Sequence, residues 1–151
     1  MKINATWHSP LVLVDGNFKR LVYWTNTEIL PKEEGCYLFC NKHGNNIKIL
    51  YVGQAKNLRS RVEQHFKKNV MLMRELNEYG NGTRILLYCT IKSKKADLLN
   101  LLETQLIRTA LEKGHELLNV HGARRRKSEI NFDVNNRDSL SIFGRKMEFY
   151  L

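Results

Sequence analysis

The stretch YVGQAKNLRSRVEQHF, Tyr51 to Phe66, constrains this chain more than any other. It reads as a strand end, a glycine turn and a helix with Asn57 as its N-cap. Leu58, Val62 and Phe66 recur every four residues and mark the buried stripe of that helix. At ~100° per residue, Arg61 and His65 fall beside the stripe and not on the far, solvated face. An arginine at the edge of a core is a snorkelling stem, half of a salt bridge, or part of a cleft. The fold must dock this helix and still account for both polar side chains at its seam.

The flanking sequence supplies the partners. Pro10 to Trp24 reads as two strands about an Asp15-Gly16 turn, and Gly35 to Gln54 as a second hairpin with its loop near Gly44-Asn45-Asn46. A short helix follows in NVMLMRELNEYGNG, stopped by Gly80 and Gly82, and TRILLYCTIK is a strand. Lys94 to Gly114 is the longest helix, ending at Gly114. After His121 the composition turns basic, then polar, and LSIFGRKMEFYL is one possible further strand. The order predicts one α+β domain over residues 1–151, with a small, mainly antiparallel sheet of three core strands packed with helices. Within it, residues 1–30 read as an N-terminal hairpin extension, 31–122 as the core and 123–151 as a basic tail with a possible terminal strand.

The long helix repeats the puzzle of the first. Leu99, Leu102, Leu106, Ile107 and Ala110 form its apolar face, and Glu103 lies within or beside it. A carboxylate there is either paired, with Arg61 as one candidate partner, or bound to a metal. Tyr37 and Tyr51 sit on the two strands of the second hairpin, where aromatics are common. If the hairpin closes, both reach the place where the helix begins, and Gly53 lets a backbone or ligand approach there.

Composition narrows the class. Lys and Arg number 25 against 15 Asp and Glu, a net charge of +10, which favours nucleic acid or an anionic membrane surface as partner. The three cysteines, Cys36, Cys40 and Cys89, form no CxxC pair and argue against a disulfide framework. Cys36, Cys40 and His43 as zinc ligands is the weaker alternative to cysteines acting as small core residues. MKINATWHSP has no signal-peptide character, and no apolar run approaches the ~20 residues of a membrane span. The expectation is a cytoplasmic protein without a membrane partner.

Gly35–Tyr37 (GCY), Tyr51–Gly53 (YVG), Arg61, His65, Glu103 and Asn119 together resemble the GIY-YIG nuclease superfamily, over roughly Gly35 to Asn119. The short triplets are weak signals; YVGQAKNLRSRVEQHF matches over its whole length. Cysteine and valine replace isoleucine in the two triplets, apolar changes in strands. The resemblance implies hydrolysis of phosphodiesters with one divalent metal, Mg²⁺ or else Mn²⁺. It implies Glu103 as metal ligand, Arg61 as phosphate-binding arginine and Tyr37 and Tyr51 as the paired tyrosines. His65 is then an accessory polar residue, and Asn119 holds the site together.

On that reading Arg61 offers parallel donors to nonbridging oxygens, and one tyrosine takes the proton of the attacking water. Tyr37 is the expected base, with Tyr51 orienting water or phosphate. Lys56, Arg59, Lys67 and Lys68 are candidates for tracking the nucleic-acid backbone, although a solvated helix face explains each one equally well. Arg124, Arg125, Arg126 and Lys127 are a denser cluster for phosphate contact. The expected substrate is double-stranded or branched DNA. A catalytically dead nucleic-acid-binding module and an RNA nuclease of the same fold stay open, as do monomer and homodimer.

Overall fold

Lys2–Trp7 alternates polar and apolar residues and forms the first strand, β1, which buries Ile3, Ala5 and Trp7. The computed structural model describes residues 2–92, 95–119, 127–133 and 137–150. The chain continues through two short strands, β2 (Leu11–Val12) and β3 (Val14–Asp15), to β4 (Tyr23–Trp24). The long hairpin follows as β5 (Gly35–His43) and β6 (Asn46–Ala55), then α1 (Leu58–Lys68) and α2 (Val70–Glu78). Strand β7 (Thr83–Ile91) leads to α3 (Ala96–Glu112). The last described elements are β8 (Lys127–Asp133), α4 (Arg137–Phe143) and β9 (Lys146–Tyr150).

One mixed sheet runs in the order β6-β5-β7-β1-β8-β9, with β2 pairing β7 beyond β1. The expected three antiparallel strands, β6, β5 and β7, are its first half. The other half departs from the sequence reading. Residues 1–30 are not only a hairpin: β1 lies antiparallel to β7 and parallel to β8. At the C-terminal end the possible terminal strand is present as β9, but Leu140–Phe143 belongs to α4, and the unexpected β8 joins β9 to β1. Trp7 stacks on Phe132 and Phe143 at 5.3 and 5.4 Å between ring centroids, which ties the two chain ends to each other.

The Asp15-Gly16 turn also differs from expectation. Asp15 accepts hydrogen bonds from the backbone N–H and side-chain amide of Asn17. That Asx turn opens a wider loop, so β3 pairs with β4 across a single helical turn at Asn17–Lys19 and not through a two-residue connection.

Helices cover both faces. Leu99, Leu102, Leu106 and Ala110 of α3 pack on Cys36, Leu38, Cys40 and Val52. Leu58, Val62 and Phe66 of α1, with Leu72 and Met73 of α2, pack on Tyr37, Phe39 and Leu50 from the other side. The long helix ends as a Schellman motif, with Gly114 N–H donating to Leu111 and His115 N–H to Ala110. Arg84 is buried and spends its charge structurally, donating to the carbonyls of Leu76 and Gly80 and to Asn41.

Glycine is required at Gly35 and Gly53 because neighbours approach too closely for a side chain. A methyl carbon at Gly35 would overlap the Cys89 carbonyl on β7. One at Gly53 would overlap the ring and hydroxyl of Tyr37.

Candidate active site

Strand alternation puts Tyr37 and Phe39 on the α1 face of β5. Tyr37 lies opposite Gly53, and Phe39 opposite Tyr51. The register then shifts, leaving Leu50 without a counterpart, and both Leu50 and Tyr51 turn to the α1 face. The bulge thus aims Tyr51 beside Tyr37, with the rings stacked at 6.3 Å and 24°. Tyr37 is 1% exposed, while Tyr51 is half-buried.

The helix seam completes the cluster. His65 is buried, and its Nε2 lies 2.6 Å from the Tyr37 hydroxyl oxygen. Its ring sits 5.4 and 5.5 Å from those of Tyr37 and Tyr51. Arg61 is exposed one turn earlier, and its guanidinium counters the rise that burial imposes on both phenols. Burial first, then the neighbouring Tyr51, raises the Tyr37 hydroxyl well above the ordinary range. Burial also raises Tyr51, and Tyr37 and Arg61 oppose that rise.

His65 is lowered to about 4, mainly by burial and further by Arg61. Its unfolded form binds a proton below the ordinary value of 6.5, and the folded form only near 4. Stability therefore falls as pH drops between these values, by about 2–3 kcal/mol over the window. His8 and His115 are lowered by burial too, so the informative quantity is a difference. Urea midpoints of the wild type and His65→Gln, compared from about pH 7 to pH 4, should converge as pH falls. Parallel curves would mean that His65 titrates normally.

Glu103 approaches from the other side of the sheet. Edge strand β6 turns Gln54 toward α3, where its Nε2 donates to Glu103 Oε2 at 2.8 Å and also bonds Asn100 Oδ1. The ion pairs among the described residues, Lys42–Asp138 and Arg108–Glu112, do not include Arg61. A cleft of about 670 Å³ runs past the end of β6, lined by Gln54, Lys56, Asn57, Ser60, Arg61 and Asn100 among others.

Asn119 is placed by the backbone of β6. Its Oδ1 accepts from Val52 N–H at 3.2 Å, and its Nδ2 donates to Val52 C=O at 2.7 Å. Leu118 N–H donates to Leu50, and His115 Nδ1 accepts from Ile49 N–H. Together they satisfy the free edge of the strand that carries Tyr51 and Gly53, an obligation any sheet edge creates.

The remaining sequence candidates divide. Lys56 is exposed on the cleft wall. Arg59 donates from Nε to Leu30 C=O and from Nη2 to Glu28 C=O, which anchors the loop before β5. Lys67 lines a second cleft of about 690 Å³ with Arg20 and Arg74, and Lys68 is exposed. Arg124, Arg125 and Arg126 lie outside the described residues; Lys127 opens β8. No three His, Cys, Asp or Glu converge among the described residues, and Cys36 and Cys40 are buried free thiols, which leaves no zinc set there. Nothing in the local sequence sets Gln54, Asn69, Asn100 and His115 apart from ordinary polar residues. Gln54 lay inside the most telling stretch, and Asn69 closes the helix four residues after His65.

Residues 33–112 match the UvrC-like GIY-YIG domain family. The chain belongs to that family. Its GIY-YIG domain is similar to the UvrABC system protein C of Streptococcus uberis, 43% identical over 70 residues, which are 40% of this chain and 11% of that protein. The UvrABC system protein C of Mycoplasma mycoides subsp. mycoides is 38% identical over 94 residues, 61% of this chain and 15% of that protein. The chain thus matches only a small part of these curated relatives. The tyrosines, Arg61, His65 and Glu103 all fall within the matched GIY-YIG segment.

Proposed function

We propose that this protein is a metal-dependent endonuclease that hydrolyses phosphodiester bonds of DNA. The observation that carries the reading is the convergence at one edge strand: Tyr37, Tyr51, Arg61 and His65 from one face, Glu103 from the other.

A phosphodiester resists attack because its oxygens carry charge and its leaving oxygen is poor. Arg61 binds nonbridging oxygens in the cleft through its planar fork. Tyr51 is a better base than Tyr37, since it is half-buried rather than closed off and its oxygen has Tyr37 and Arg61 beside it. Its phenolate, formed by loss of the hydroxyl proton to solvent and favoured by Arg61, takes the proton of the attacking water, and Tyr37 holds it in place. Neutral His65 supports the Tyr37 oxygen. The donor set suits a Mg²⁺-like ion: one carboxylate, Glu103, flanked by the amides of Gln54 and Asn100, fits a cation that keeps several waters. Such an ion, when bound, supplies charge stabilisation to the leaving oxygen. Lys56, Lys67 and Lys68 with the run Arg124 to Lys127 supply sequence-blind phosphate contacts.

The test uses supercoiled plasmid, branched DNA and RNA, each with EDTA and then with Mg²⁺ or Mn²⁺. DNA cleavage is expected only with added metal. Full cleavage in chelator overturns the one-metal mechanism. Cleavage confined to RNA makes the protein an RNA nuclease, and salt-sensitive binding without cleavage makes it a binding module.

A further inference from the structure

Asn69 stands at the junction of two helices, as the C-cap of α1 and the N-cap of α2. Its side-chain oxygen accepts from Leu72 N–H at 3.3 Å, and its backbone N–H donates to His65 C=O. That cap fixes the amide's orientation. Flipped, the Nδ2 group would face Leu72 N–H, donor against donor. Asn69 Nδ2 therefore points to His65 Nδ1, at 3.1 Å.

An amide nitrogen only donates, so His65 Nδ1 must accept with its lone pair. A neutral imidazole has one proton, which is then on Nε2. Nε2 faces the Tyr37 oxygen at 2.6 Å. The hydrogen bonds run one way, from Asn69 to His65 to Tyr37. Burial against Tyr37, Phe39 and Tyr51, with Arg61 as the neighbouring charge, keeps the ring neutral.

We propose that Asn69 is a positioning residue that locks His65 in the Nε2–H tautomer, so that His65 donates to the Tyr37 oxygen and cannot take its proton. Tyr37 must then direct its own O–H away from His65, toward the side where Tyr51 stacks. A phenol that receives a hydrogen bond is a stronger donor in turn. For its catalytic consequence the proposal rests on the nuclease reading above; the tautomer itself does not.

Asn69→Asp separates the lock from the fold. Aspartate caps a helix as well as asparagine does, so α2 should persist. It offers His65 an acceptor in place of a donor, and Nδ1 must then carry the proton. The probe is the ¹⁵N spectrum of the ring nitrogens at about pH 8, where the unperturbed imidazole is neutral. In the wild type, Nε2 should be pyrrole-like and Nδ1 pyridine-like; in the variant the pattern should reverse. The kcat for plasmid nicking should fall at least about tenfold with KM unchanged, since a wrong tautomer leaves geometry intact and spoils proton placement. A wild-type spectrum with the proton on Nδ1 overturns the lock, whatever the variant does. Reversal of the tautomer with wild-type kcat overturns its role in cleavage. If the wild type cuts nothing under any metal, the nuclease reading falls, and the wild-type ring nitrogens still decide the tautomer.

Discussion

Glu103→Gln should fold, bind DNA and leave it uncut. The side chain keeps its shape, and the amide oxygen can still accept from Gln54, as Oε2 does now at 2.8 Å. What goes is the anion proposed to hold a divalent ion. Several kcal/mol of transition-state stabilisation leave with the ion, a rate loss on the order of 10³-fold. Affinity for DNA should hold or rise, because a negative charge near the phosphates has been removed. A buried structural carboxylate would behave differently. Neutralising it would strand its partner and lower stability by about 3–5 kcal/mol. Thermal melting, a gel shift and plasmid nicking on one preparation separate the two. A large drop in melting temperature with wild-type cleavage per folded molecule would return Glu103 to a structural role.

Gly53→Ala should cripple the site from the opposite side. A methyl carbon there overlaps Cζ and Oη of Tyr37. The ring cannot swing away freely: it is 1% exposed and hemmed by Phe39, Tyr51 and His65. Either Tyr37 moves and its contact with His65 breaks, or β6 moves and shifts Tyr51. Displacement of a reacting group by ~1 Å costs about 10²-fold in rate. The overpacking itself should cost about 1–3 kcal/mol in stability. Nicking rates and near-ultraviolet circular dichroism of the tyrosines report the two effects. An unchanged rate with an altered tyrosine signal would mean that the placement of Tyr37 does not matter to cleavage.

The legible parts of this fold are those written in local periodicity. The stripe Leu58, Val62 and Phe66 placed α1 and put Arg61 and His65 at its seam, where they are found. The stripe from Leu99 to Ala110 did the same for α3 and Glu103. What escaped depends on distant partners. Ile3, Ala5 and Trp7 do alternate, yet six residues gain meaning as a strand only beside β7 and β8. Asp15-Gly16 carries the signature of a tight hairpin, and the Asp15 side chain overrides it by binding Asn17. Within the site, Asn69, His115 and Gln54 look like ordinary polar residues until tertiary packing supplies the groups they bond. The resemblance leaves open which tyrosine is the base, and no periodicity reports that Tyr37 is closed off while Tyr51 is half-buried.

The sheet has two ends of different character. Tyr51 and the cleft sit at β6, beside Tyr37 on β5, and β9 stands at the opposite end, with β7, β1 and β8 between. Outside the span Gly35–Ile91, β1, β2, β8 and β9 join the main sheet on the far side of β5 from β6, while β3 and β4 pair only with each other. The strands β1, β8 and β9 thus enlarge the sheet at the end away from the tyrosines. The stack of Trp7, Phe132 and Phe143 belongs to one hydrophobic cluster and the paired tyrosines to the other, so the two ends share no core side chain.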